Sequence, residues 1–122
     1  MVKAVRGAIA VRADERTLIH EAATRLVSEL MRANGIEERD IISIVFSLTI
    51  DLSTGNPATG LRQAGFAETP LFCAQEARVE GGMARVIRAL LTFEARRRRA
   101  PIPVYLDGAE TLRPDLGAGG TR

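Results

Sequence analysis

Arg6, Arg62, Arg88 and Arg113, together with Glu76, Cys73 and Tyr105, are the side chains of this sequence best equipped for chemistry. All but one of the lysine and arginine residues are arginine; the exception is Lys3. A guanidinium is a planar fork that donates two parallel hydrogen bonds, so it grips carboxylates better than an ammonium does. The arginines point to a small anionic ligand, although codon bias or a warm habitat would also enrich arginine. The usual catalytic equipment is sparse. His20 is the one histidine and Cys73 the one cysteine, so no metal cluster of recognisable spacing can be written. His20 lies among polar helix neighbours and reads as a surface residue. Nothing in the sequence brings it to Cys73 as a nucleophile–base pair. What remains suits a binder of small anions, or an enzyme that works by positioning and charge stabilisation without proton transfer.

Two further motifs have weaker readings. Gly81-Gly82 offers backbone amides to an anion, but it lacks the lysine of a phosphate-binding loop and a full dinucleotide fingerprint. The run Arg96 to Arg99 is a candidate for phosphate contact. With aromatics at 4% of the chain there is no stacking platform, and the run reads as the solvated end of a helix. Neither nucleic acid nor a membrane is an expected partner, since no apolar run approaches the ~20 residues that span a bilayer. The N-terminus does not read as a signal peptide, and an unpaired cysteine fits a reducing compartment. The expected location is the cytoplasm.

A chain of 122 residues builds one domain. Its expected extent is 1–116, with 117–122 a Gly-rich flexible tail. The alternation in Val2 to Val11 predicts a strand, in which Gly7 implies a bulge or a close backbone approach. Asp14 is a candidate N-cap for a helix from about Glu15 to Ala33, stopped by Asn34-Gly35. Ile41 to Ile50 is β-branched and nearly all apolar, the pattern of a strand buried on both faces at the centre of a sheet. Asn56-Pro57 can cap a short helical turn through about Gln63. Another strand runs from Leu71 to about Val79. Met83, Val86, Ile87, Leu90 and Leu91 follow helical spacing and predict a second main helix, ended by Pro101. Val104-Tyr105-Leu106 is a last short strand. The expected fold is α+β, a mixed sheet with two main helices on one side. Two helices cannot cover both faces, so oligomerisation is expected.

Four stretches give the chain a wider identity: Val5-Arg6-Gly7-Ala8; Cys73-Ala74-Gln75-Glu76; Gly81-Gly82 with Ile87-Arg88; and Val104-Tyr105-Leu106 with Leu112-Arg113-Pro114-Asp115-Leu116. In order and spacing they resemble the monofunctional trimeric chorismate mutases of Gram-positive bacilli, along nearly the whole chain. The resemblance implies a homotrimer, a pseudo-α/β-barrel with sites in the clefts between subunits. It also implies the cofactor-free [3,3] rearrangement of chorismate to prephenate, at the branch toward phenylalanine and tyrosine. Alternatives of other classes are a RidA-like trimeric imine/enamine deaminase and a non-catalytic anion-binding trimer.

By the same resemblance Arg88 contacts the ether oxygen and a carboxylate, Arg6 binds the side-chain carboxylate, and Tyr105 assists. Glu76 and Cys73 meet the ring hydroxyl, Arg62 draws in the substrate, and Arg113 helps close the site. Ala58, Thr59 and Phe72 line the pocket. The family pattern has a lysine and an aromatic residue where this chain has Thr59 and Asn56. From the residues alone, Arg88 reads equally as a solvated helix arginine, and Glu76 with Arg78 as a surface ion pair. Cys73 and Glu76, three apart, belong on opposite faces of a straight strand.

Overall fold

The computed structural model describes residues 1–112; Arg113 and the expected tail at 117–122 lie outside the described residues. A mixed five-stranded sheet in the order β3-β2-β4-β1-β5 is built from β1 (Val2–Ala10), β2 (Ile41–Leu48), β3 (Leu71–Gln75), β4 (Val86–Glu94) and β5 (Val104–Leu106). β4 runs antiparallel to both β1 and β2, while β5 joins β1 and β3 joins β2 in parallel. The long helix α1 (Arg16–Asn34) lies across one face. The short helix α2 (Pro57–Gln63) packs on α1 and the end of β3.

α1 buries Ile19, Ala23, Leu26, Val27 and Leu30 against Val5 and Ile9 of β1, Ile44 and Phe46 of β2, and Ile87, Leu91 and Phe93 of β4. Cutting one such leucine back to alanine costs about 2–5 kcal/mol, from lost transfer energy and the cavity left behind. Gly7 allows the close approach: a Cβ there would lie 3.0 Å from Cδ1 of both Leu26 and Leu30. The β1–β4 register runs through Gly7 without a bulge. Gly35 ends α1 in the left-handed conformation, φ 62°, with its N–H donating to the Met31 carbonyl.

The chain departs from the sequence-based expectation in several places. Residues 83–95 do not form a helix: from Val86 to Glu94 they are β4, the middle strand. Val86, Ile87, Leu90 and Leu91 mimic helical spacing because Leu90 is apolar although it lies on the open face, whereas burial alternates through Ile87, Ala89, Leu91 and Phe93. β2, expected at the centre, is second from the edge. It is covered on one face only, with Ile42 and Val45 exposed. β3 stops at Gln75, short of Val79. Asp14 does not cap α1. Glu15 holds the N-cap position without a side-chain cap bond, and the Asp14 carboxylate accepts from the backbone and hydroxyls of Ser53 and Thr54. With no helix before them, Arg96 to Arg99 follow a strand, and Arg96 pairs with Glu37 and Asp40.

Candidate active site

Strand parity divides the sheet between two environments. Val5, Gly7 and Ile9 of β1 face α1, so Arg6 and Ala8 face the other way. Ala8 pairs with Tyr105 on one side and Arg88 on the other; Arg88 pairs with Ser47, and Ser47 with Ala74. This gives one transverse row, Tyr105–Ala8–Arg88–Ser47–Ala74, across the face away from α1. The neighbouring row is Arg6–Leu90–Val45–Phe72. The first row carries most of the polar groups, and the second is apolar apart from Arg6.

A cavity of about 360 Å³ opens over these rows, lined by Arg6, Ser47, Arg88, Tyr105 and Leu112 among others. A second cleft, about 1010 Å³, adjoins it and is lined by Glu76, Arg78, Gly81, Gly82, Arg88 and Leu112. Arg88 and Leu112 border both. A small cluster of Ala8, Val86 and Ala109, with Tyr105 and Leu112 packed on it, forms a wall of the site. Its Ala109 and Leu112 come from the 3-10 turn Ala109–Leu112, whose Leu112 lines both cavities.

The guanidinium of Arg88 is fixed from one end. Its Nε donates to Glu76 Oε2 at 2.8 Å, and the Ser47 hydroxyl donates to the same oxygen at 2.5 Å. Glu76 lies just past β3, where its N–H donates to the Leu48 carbonyl at 2.8 Å and extends the β2–β3 ladder. The carboxylate is the better covered partner, with the Glu76 side chain 19% exposed against 43% for Arg88. Glu76 therefore pairs with Arg88, and not with Arg78 as the sequence allowed.

The other expected site residues lie elsewhere on the chain. Cys73 is in register with buried Phe46 and packs into the core under the helices, so its thiol is on the opposite face from Glu76. Burial raises the Cys73 thiol above its usual 9.0. Phe72 is on the site face and 64% exposed. Ala58, Thr59 and Arg62 belong to α2, on the helix-covered side. There Asn56 caps α2 through its side chain, accepting from the Ala58 N–H at 2.8 Å, and Arg62 Nη1 donates to the Phe66 carbonyl at 2.6 Å. His20 is half-buried between α1 and α2, its Nδ1 3.1 Å from Gln63 Oε1. The structure thus brings together Arg6, Glu76, Arg88 and Tyr105, and leaves the α2 group apart from them. Ser47 was missed by sequence reasoning; its signal was a hydroxyl of the same parity as exposed Val45 in an otherwise apolar strand.

Among the described residues no three His, Cys, Asp or Glu side chains converge as a metal-ligating group, and no helix is long and apolar enough to cross a membrane. The arrangement offers two guanidiniums, a phenol and a carboxylate around a cleft, which suits a small dianion carrying a hydroxyl.

Comparison with known proteins agrees with that chemistry. The chain is 38% identical to the chorismate mutase AroH of Thermus thermophilus over 95% of its own length and 97% of that protein's. It is 31% identical to the chorismate mutase AroH of Bacillus subtilis (strain 168), over 95% and 93%. A solved chorismate mutase from Clostridium thermocellum superposes with a TM-score of 0.85 at 35% identity, covering 89% of this chain and 98% of the other. The family model for chorismate mutase type I matches residues 2–116. The chain belongs to the chorismate mutase type I family.

Proposed function

We propose that this chorismate mutase converts chorismate to prephenate in a cleft organised around Arg88. The observation that carries the reading is the one-ended grip on its guanidinium: Glu76 takes Nε, while the group borders the cleft shared with Arg6 and Tyr105. The rearrangement breaks a C–O bond and makes a C–C bond in one step, without a covalent intermediate or an added cofactor. As the C–O bond lengthens, negative charge grows on the ether oxygen. A fixed guanidinium aimed there binds the transition state more strongly than the ground state, which is the condition for catalysis. Arg6, helped by the Tyr105 phenol, holds the side-chain carboxylate, and Glu76 with the Cys73 backbone receives the ring hydroxyl. Folding the enolpyruvyl arm over the ring supplies a near-attack geometry.

The assembly is proposed to be a homotrimer with sites between subunits, the sheets closing into a barrel-like core. Phe72, Leu90 and Val45 are 64%, 43% and 41% exposed on the site face, a contiguous apolar strip of the kind that marks an interface. The α2 residues Ala58, Thr59 and Arg62 are remote from Arg88 within one chain, so a neighbouring copy must supply them. Arg113 is assigned to site closure, the domain to residues 1–116, and the location to the cytoplasm.

The test is loss of chorismate absorbance with purified protein; no turnover above background would sink the reading. The family match favours this rearrangement over the imine deaminase and the non-catalytic binder.

A further inference from the structure

We propose that Ser47 is a positioning residue for the reaction, holding the Glu76 carboxylate so that Arg88 is engaged through Nε and keeps its terminal NH₂ groups for the substrate. The proposal rests on the role given to Arg88 above. An arginine and a carboxylate left to themselves favour two parallel hydrogen bonds. Side-on pairing of that kind would draw both Glu76 oxygens and one terminal nitrogen of Arg88 into the ion pair. The cleft would lose a donor from Arg88 and an acceptor from Glu76 together.

The geometry is different. Arg88 Nε and Ser47 Oγ both donate to Oε2, at 2.8 and 2.5 Å, and among the described residues Oε1 takes no partner. Ser47 and Arg88 are direct cross-strand partners on β2 and β4. Glu76 arrives from the end of β3, its backbone tied to Leu48. One oxygen is therefore clamped by two donors, one from β2 and one from β4, whose register is fixed by the sheet. With Oε2 held by Ser47, a turn that would carry Oε1 to a terminal nitrogen of Arg88 is opposed. Ser47 sits in a strand otherwise composed of Ile41, Ile42, Ser43, Ile44, Val45, Phe46 and Leu48; it lines the smaller cavity, but its hydroxyl proton is committed to Glu76, through which it acts on Arg88.

The experiment compares Ser47→Ala, Ser47→Cys and Ser47→Thr, each alone and in a Glu76→Ala background, with Arg88→Ala in parallel. Thermal melting and oligomeric state are recorded for every variant. Ser47→Ala and the nearly isosteric Ser47→Cys are expected to lower kcat about tenfold or more with KM nearly unchanged, the signature of an interaction realised in the transition state. Ser47→Thr, which keeps the hydroxyl on a β-branched side chain suited to a strand, should recover most of kcat. In the Glu76→Ala background, removing the hydroxyl should cost no further rate, because there is no carboxylate left to hold. If Ser47→Ala and Ser47→Cys stay within about twofold of the parent kcat while Arg88→Ala is inactive, Ser47 does not position the pair. An undiminished loss in the Glu76→Ala background overturns the proposal too, since Ser47 would then act independently of Glu76. Retention of activity by Arg88→Ala would remove the role of Arg88 itself, and this proposal with it.

Discussion

Tyr105 and Arg88 flank Ala8 in direct register, one from the parallel β5 and the other from the antiparallel β4. Only a methyl group separates the row positions of the phenol and the guanidinium, and Ala8 is fully covered. The two groups can therefore meet one ligand while playing unequal parts. Arg88→Ala should cost at least ~3 kcal/mol of transition-state stabilisation, the scale of one lost oxyanion-type donor. Arg88→Lys should not rescue it, since an ammonium cannot both pair with Glu76 and present a planar fork. Tyr105→Phe, which removes one hydrogen bond, should cost only about 0.5–1.5 kcal/mol and act mainly on KM. Steady-state kinetics on chorismate would check the ranking, and a kcat for Arg88→Ala within tenfold of the parent would reverse it.

Leu90 lies between Arg6 and Val45 in the apolar row. If this strip is the contact between copies, Leu90→Glu places a carboxylate in each of the contacts, where unpaired charge is strongly disfavoured. Sedimentation should then show monomers, with activity lost although Leu90 touches none of the polar groups assigned to the substrate. A fully active monomer would show that one chain holds a complete site.

Much of this architecture was legible in the sequence, and the exceptions share a physical origin. α1 is legible because its covered face and its solvent face differ in composition, and because Gly35 supplies a left-handed stop. Asn56-Pro57 is legible because a cap is a local event. β4 is not, since its alternation of buried Ile87, Ala89, Leu91 and Phe93 is masked by Val86 and by Leu90, an apolar residue on the open face that completes a helical spacing. That error carried over to Arg88, whose place on the open face follows from strand parity and makes no sense on a helix. Asp14 was misplaced for a related reason: its partners Ser53 and Thr54 are far away in sequence. The grouping of Arg6, Arg88, Glu76 and Tyr105 came from the motif resemblance, because cross-strand register is invisible to local spacing. The parity argument for Cys73 and Glu76 did survive folding.

That parity gives Cys73 a definite expectation. Its side chain is partly buried beneath the helices, on the face away from Glu76, and burial pushes the thiol pKa up. Iodoacetamide should label the folded protein slowly. Cys73→Ala should lower the melting temperature through lost packing while leaving kcat within about twofold. A large fall in kcat with unchanged melting would place the thiol on the substrate.

Gly60 tests how α2 is seated. A Cβ added there would lie 2.8 Å from the His20 Cα and 2.9 Å from its Cβ. Within a helix, Gly→Ala gains about 1 kcal/mol in propensity. Here the obstruction includes the backbone of α1, and overpacking of this kind costs about 1–3 kcal/mol. The two effects oppose each other, and the clash is the larger. Gly60→Ala should melt lower than the parent; a higher melting temperature would mean that α2 rides freely on α1.

The loop leading into α2 should give way in acid. Desolvation pushes the Asp14 carboxyl up, but hydrogen bonds from the backbone and hydroxyls of Ser53 and Thr54 outweigh it and hold the group below its ordinary 3.8. A carboxyl whose folded pKa is depressed stabilises the fold above its unfolded value, and that contribution is lost as pH falls through the folded one. Stability should thus be undiminished by this group at neutral pH and should decline below 3.8. Asp14→Asn, with one acceptor oxygen in place of two, should already melt lower at pH 7 and show a shallower decline in acid. Melting temperature against pH for the two proteins measures the difference. Parallel curves of equal slope would mean that Asp14 titrates alike in the folded and unfolded chains, and that the loop before α2 is held by other contacts.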